Sequence, residues 1–178
     1  MSTDLVVSHD CMVLDACCAI NLSMSGHMEA IRQAIPGCVA LATFVLDEEI
    51  LRINLQPLVQ QRLIRVVSLE SEAEENAFVN FAAELDDGEA VTGAIAMHRS
   101  WGIATDDRKA RRIFTCAIPH VQLLSTPELV KHWVNTYNPS IEVVREVLQN
   151  IETQARYKLG CLKMATEAQF SCPGFGPR

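Results

Sequence analysis

The chain is poor in residues that interrupt regular structure. Of its 178 residues only 8 are Gly and 7 are Pro, too few for a collagen-like, linker-rich or low-complexity chain. Aromatics make up 6% of a composition that is 49% hydrophobic, so the apolar content is mainly aliphatic. That is enough for one buried core with a modest extension.

Metal-ligand spacing is missing among the seven cysteines, Cys11, Cys17, Cys18, Cys38, Cys116, Cys161 and Cys172, which include no CxxC pair. This argues against a zinc site and against a disulfide framework. Cysteines inside apolar runs, such as Cys38 in CVALATFV, are expected to be free, buried thiols, which suits a reducing cytoplasm. Nowhere do about 18 apolar residues run together, and the N-terminus MSTDLVVSHDCMVLDACCAI has no basic region before its apolar part, so the chain reads as soluble, off the membrane and not exported.

Positive charge is also lacking. A net charge of -7 gives no sign of the global basic surface common in nucleic-acid binders. A carboxylate cluster built to hold cations would itself contribute negative charge, however, and a polyanion responds to the local field.

What the chain does have is alternation. Short aliphatic runs at 12–16 (MVLDA), 38–45 (CVALATFV), 63–69 (LIRVVSL), 102–105 (GIAT) and 121–124 (VQLL) read as five strands. Between them, Met28 to Ile35, Ser71 to Leu85 and Ala90 to His98 carry helical spacing, the second with Ala77, Phe78, Phe81, Ala82 and Leu85 on one face. The pattern predicts an α/β fold of three layers, α/β/α, with a mostly parallel sheet of about five strands. Thr126-Pro127 and Asn138-Pro139 each place a capping residue before a proline, which predicts two terminal helices. In the second, Ile141, Val144, Leu148, Ile151 and Ala155 form a stripe that must pack on the domain, a second subunit or a partner.

Acids recur where strands end, the ligand-binding edge of a parallel sheet. Asp15 follows the first run, Asp47, Glu48 and Glu49 follow the second, Glu89 sits in LDDGEAVTGAIAMH after Asp86 and Asp87, and Asp106 and Asp107 end the fourth run. Each has a bland reading as a helix cap or first-turn acid. Together, four acidic junctions converging on one edge would repel unless cations lay between them. An all-oxygen donor set suits magnesium or manganese, and such ions can activate water for attack on a phosphodiester.

At these residues the chain resembles the PIN-domain family. VLDACCAINL looks like its first acidic motif, and the DGEA and TDDRKARR stretches look like its third and fourth, over roughly residues 10 to 125. The resemblance implies a metal-dependent endoribonuclease that binds Mg2+ or Mn2+, with Asp15 as the first metal-binding acid, Glu89 as the third, and Asp106 and Asp107 supplying the fourth. For the second, counting from the strand favours Glu48, while Glu49 lies nearer the face of Leu46, Ile50 and Ile53; both stay open, with Glu48 preferred. Asp15, Glu48, Glu89 and Asp107 are the expected catalytic acids. Many bacterial members are VapC-like toxins held by an antitoxin protein, so the resemblance implies such a partner as well as RNA.

The resemblance divides the chain into a nuclease domain at 1–125, a helical extension at 126–160 suited to homodimerisation or recruitment, and a flexible tail at 161–178. Arg108, Lys109, Arg111 and Arg112 are placed to hold phosphates or to form a solvated face. Adjacent Cys17 and Cys18 are expected to be packing residues rather than a redox pair. A haloacid-dehalogenase-type phosphatase would need an acid at position 17, where this chain has Cys17, and a receiver domain would need an acidic pair in the first motif. The remaining alternative is a non-catalytic PIN-like binding module working through its terminal helices.

Overall fold

In the computed structural model the described residues are 9–51 and 53–155. The five aliphatic runs form β1 (Cys11–Leu14), β2 (Cys38–Ala42), β3 (Arg65–Val67), β4 (Gly102–Ala104) and β5 (Leu123–Leu124). All four pairings are parallel, in the order β3-β2-β1-β4-β5. Central parallel strands are covered on both faces and so read as unbroken apolar runs, and every residue of β1 is buried.

The helical elements are α1 (Ala16–Met24), α2 (Met28–Ala34), a π-helical turn (Val45–Glu49), α3 (Gln56–Gln60), α4 (Glu72–Ala82), α5 (Asp87–Arg99), α6 (Arg108–Ala117), α7 (Thr126–Tyr137) and α8 (Ile141–Gln154). α5 packs on β1, β2 and β4, and α4 lies along α5. Phe114 of α6 meets Phe81 of α4 edge-on, with centroids 5.4 Å apart. It does so over Gly93, where a Cβ would strike the Phe114 ring. α1, α2, α7 and α8 pack among themselves and form the second helical layer, giving the expected α/β/α fold. Each large side chain sealed in this way contributes about 1.5–3 kcal/mol.

α1 has no periodic signature because both its sides are covered: ACCAINLSM touches α2, α7, α8 and the π-helical turn. The stripe of α8 is used on the domain itself, where Val144, Val147, Leu148 and Ile151 are buried against α1, while Ile141 stays 38% exposed.

The caps of the last helices differ from expectation by one or two residues. Ser125, not Thr126, caps α7 in a capping box with Glu128. Asn138 ends α7 in a left-handed conformation, and Ser140 caps α8. The expected tail at 161–178 and the end of the extension past 155 lie outside the described residues.

One ion pair ties the α4–α5 layer. Arg99 donates through Nε to Glu74 Oε1 at 2.6 Å and through a second nitrogen to Ser68 O at 2.7 Å, while stacking over Trp101 at 5.1 Å. Arg99 holds the buried Glu74 carboxyl below its ordinary range.

The cysteine expectation needs one correction. Cys11 and Cys38 form a disulfide, their Cα atoms 4.4 Å apart. They are register partners on neighbouring parallel strands, so their side chains leave the same face of the sheet side by side. Strand pairing brought together two cysteines that sequence spacing kept 27 residues apart. Among the described residues no helix is long and apolar enough to cross a membrane.

Candidate metal centre

The strand order decides where the site lies. The chain steps outward from β1 through β2 to β3, then returns to lay β4 on the other side of β1. The connections leaving β1 and β4 therefore diverge, opening a crevice beyond the strands' C-terminal ends. A cavity of about 460 Å³ occupies that position, and Asp15, Glu49, Asp86, Glu89, Asp106 and Asp107 line it.

Asp15 follows β1 directly. Its N–H donates to Ala104 O at 3.0 Å, continuing the β1–β4 ladder, and its carboxylate accepts from Cys18 N at 2.9 Å. The capping and cavity readings of Asp15 therefore both hold: one oxygen caps α1 while the carboxylate faces the crevice.

At the second junction the π-helical turn closes with Ile50 N donating to Val45 O at 3.2 Å. Its wider winding sends Glu49, and not Glu48, to the cavity, while Glu48 is exposed and does not line it. Counting from the strand could not foresee that extra backbone step. The Glu49 carboxylate accepts from the Gly88 backbone N–H, and a Cβ at Gly88 would fall on the same carboxylate oxygens. Asp86 stands at the N-cap of α5 without a side-chain cap bond, so Glu49 serves α5 from across the crevice.

Glu89 lies in the first turn of α5, which starts at Asp87 rather than near Ala90. Asp107 caps α6 by accepting from Ala110 N at 2.8 Å. Asp106 is held on several sides: Oδ1 accepts from Thr126 N at 2.9 Å, and Oδ2 accepts from Asn21 Nδ2 at 2.8 Å and Thr126 Oγ at 2.5 Å. The Thr105 hydroxyl bonds to the Asp15 carboxylate and accepts from Asp107 N at 3.2 Å, linking the first and fourth acidic junctions.

Crowding shows in the acidities. Burial, with a smaller push from Asp106, raises the Asp15 carboxyl above its ordinary value despite hydrogen bonds from Cys18, Thr105 and Cys17. Burial likewise raises Glu49, helped by Asp15, Asp86 and Asp87. Glu89 is pushed up to about 7, first by burial and then by Asp107, Asp15 and Asp86. Like charges in one crevice disfavour their own ionisation, a repulsion that a cation placed among them would offset.

Cys17 and Cys18 join this group. The Cys17 thiol reaches both Asp15 oxygens at 3.1 Å, and donor atoms of Asp15, Cys17 and Cys18 lie within 4.8 Å of one another, a group that could hold a metal ion. Sequence reasoning passed over Cys17, Asn21, Asp86 and Thr126 as site residues. Asn21 and Thr126 have no local signal, since their roles depend on α1 and α7 meeting the end of β4. Asp86 was visible only as a neighbour of Glu89.

Of the basic run, Arg108, Lys109 and Arg112 are exposed. Arg111 donates to Thr105 O at 3.1 Å and pairs with Glu128 at 3.7 Å.

No protein-family model matches the chain, and no curated protein matches it.

Proposed function

We propose that the protein is a metal-dependent endoribonuclease of the PIN-domain kind, using Mg2+ or Mn2+ to hydrolyse RNA phosphodiester bonds. The observation that carries this reading is the convergence of six carboxylates on one cavity at the sheet's switch point, from three strand–helix junctions and from the α4–α5 junction. Their oxygen donors suit a hard divalent cation, and three of them are weakened as acids by burial and mutual repulsion, which a cation would relieve.

Asp15, Glu89 and Asp107 are the residues assigned to hold the metal, with Glu49 completing the set and Asp106 held in place by Asn21 and Thr126. When bound, a divalent ion supplies water activation and neutralises charge developing on the phosphodiester. Substrate binding draws on Arg108 and Lys109, which stand exposed in the first turn of α6 directly after Asp107. Cations there oppose the helix macrodipole, so they add nothing to helix stability at that end. A phosphate contact accounts for their place.

We place this activity in the cytoplasm on the apolar setting of most cysteines, although the Cys11–Cys38 bridge weighs against a strongly reducing compartment. The role of toxin with an antitoxin partner rests on the motif resemblance alone, as does assembly into a homodimer.

Cleavage of a mixed RNA pool by the purified protein with Mg2+, with Mn2+ and with EDTA, beside Asp15→Asn, tests the reading. Asn caps a helix as well as Asp, so the variant keeps α1 and loses one carboxylate charge. Metal-dependent cutting that vanishes in the variant is expected. Equal cutting by both proteins would sink the assignment, and a folded protein that cuts with neither metal would favour the non-catalytic binding module.

A further inference from the structure

The crevice contains two kinds of donor. Oxygen ligands surround it, but on its α1 side stand two thiols, from Cys17 and Cys18. Cys17 is partly exposed and lines the cavity, whereas Cys18 is wholly buried. The backbone explains their approach: Asp15 caps α1, so its carboxylate folds back over the first turn, where Cys17 and Cys18 are the second and third residues. Asp106 Oδ2 lies 3.5 Å from the Cys18 sulfur, and Asp106 N donates to the Cys17 sulfur at 3.4 Å.

A tetrahedral zinc ion, with Zn–S of about 2.3 Å and Zn–O of about 2.1 Å, needs donors separated by roughly 3.5–3.8 Å. The three donors lie within 4.8 Å of one another, a range that side-chain rotation can bring to that spacing. An ion of this class enters through the cavity, past Cys17, and the surrounding carboxylates supply an attractive field. Hard ions prefer the oxygen side, while thiolates select soft and borderline ions.

We propose that Asp15, Cys17 and Cys18, with the Asp106 carboxylate beside Cys18, form a second metal site selective for thiophilic ions of the zinc class. The site overlaps the hard-metal site through Asp15. Binding one divalent ion replaces the two S–H protons, which pass to solvent, and no electron is transferred. An ion held there takes Asp15 away from the oxygen site, so zinc acts as an inhibitor. This last step rests on the ribonuclease reading, whereas thiophilic binding itself does not.

The test titrates the full chain without added reductant and under argon, so that the Cys11–Cys38 bridge stays closed, with Cd2+ and Co2+ and follows the ultraviolet metal–thiolate charge-transfer band and the visible cobalt bands. One equivalent is expected to bind with a tetrahedral cobalt spectrum, and Mg2+ in excess leaves it in place. Cys17→Ser weakens binding by roughly tenfold or more, since even loss of a group that merely positions a ligand costs roughly 10–100-fold. Asp15→Asn weakens it as well. Cys18→Ala acts on a buried residue, so Cys17→Ser, at a partly exposed position, is the deciding variant. Replacing Cys116, Cys161 and Cys172 together by Ser leaves the band intact.

A band that survives in Cys17→Ser, or disappears in the triple variant, would overturn the proposal. If RNA is cut with Mg2+ but no thiolate band forms, the thiophilic site fails and the nuclease stands. A band without any cutting leaves the site standing and removes the inhibitory role.

Discussion

Asn21 Nδ2 donates to Asp106 Oδ2 at 2.8 Å, tying the buried face of α1 to the acidic turn after β4. The two residues are 85 positions apart in the chain. Through this bond the first and fourth acidic junctions hold a fixed geometry, because α1 carries Asp15 at its start and Asn21 two turns further on. Asn21→Ala is expected to lower stability by about 1–2 kcal/mol, the cost of removing one partner of a buried hydrogen bond, and to weaken Mn2+ binding by roughly 10–100-fold. Urea unfolding and Mn2+ titration measure the two effects. Unchanged metal affinity would show that Asn21 only supports the fold.

Gly88 and Gly93 lie on one helix yet are expected to respond oppositely to Ala. At Gly88 the atoms nearest the added Cβ are those of the Glu49 carboxylate, the end of a flexible side chain that can swing away. Gly88→Ala therefore keeps or raises stability, by up to about 1 kcal/mol, while expelling Glu49 from the crevice and weakening metal binding. At Gly93 the Cβ meets the buried Phe114 ring, and overpacking there costs about 1–3 kcal/mol. Thermal unfolding of both variants checks the contrast; a destabilised Gly88→Ala with normal metal affinity would refute it.

The Glu89 carboxyl, raised to about 7, makes metal-free stability depend on pH. Its contribution is fully present below the unfolded value of about 4.3 and is lost as pH rises through about 7, because the folded crevice resists ionisation. In EDTA, Glu89→Gln is expected to gain on the unaltered protein between about pH 5 and pH 8. The gain is on the order of 1 kcal/mol once partial exposure is allowed for, or about 2–4 °C in Tm. With Mn2+ present the difference shrinks or reverses. A Tm difference that does not move with pH would contradict the assigned acidity.

Glu74 and Arg99 form a pair of the opposite sign. Arg99 depresses the Glu74 carboxyl, so their stabilisation is present above the unfolded carboxyl value and is lost as pH falls through the lower folded one. Arg99→Met strands the Glu74 side chain, which is 4% exposed. The cost should approach the roughly 3–5 kcal/mol of a broken buried pair. Chemical denaturation near neutral pH gives the number, and a loss below about 1 kcal/mol would class the pair with exposed ones.

Much of the fold was legible from local pattern. The runs that became β1 and β2 are continuous and aliphatic, as only strands covered on both faces require, and the face of Ala77, Phe81 and Leu85 is buried as its spacing demands. Asp15, Asp106 and Asp107 were visible because acids at strand ends break an otherwise apolar text, and Glu89 because it opens the alanine-rich helix α5 after α4. α1 was not legible, since a helix enclosed on both sides has no polar face to mark its period.

The sequence by itself therefore determined the layers, the strands and the acidic junctions, all properties of residues close along the chain. Tertiary structure alone decided which of those acids meet. The return of the chain to β4 beside β1 set the crevice, a π-helical turn chose Glu49 over Glu48, and strand register joined Cys11 to Cys38. The bonds from Asn21 and Thr126 to Asp106 belong with these, because contacts between residues far apart in the chain depend on how helices and strands pack, and no local window of sequence holds both partners.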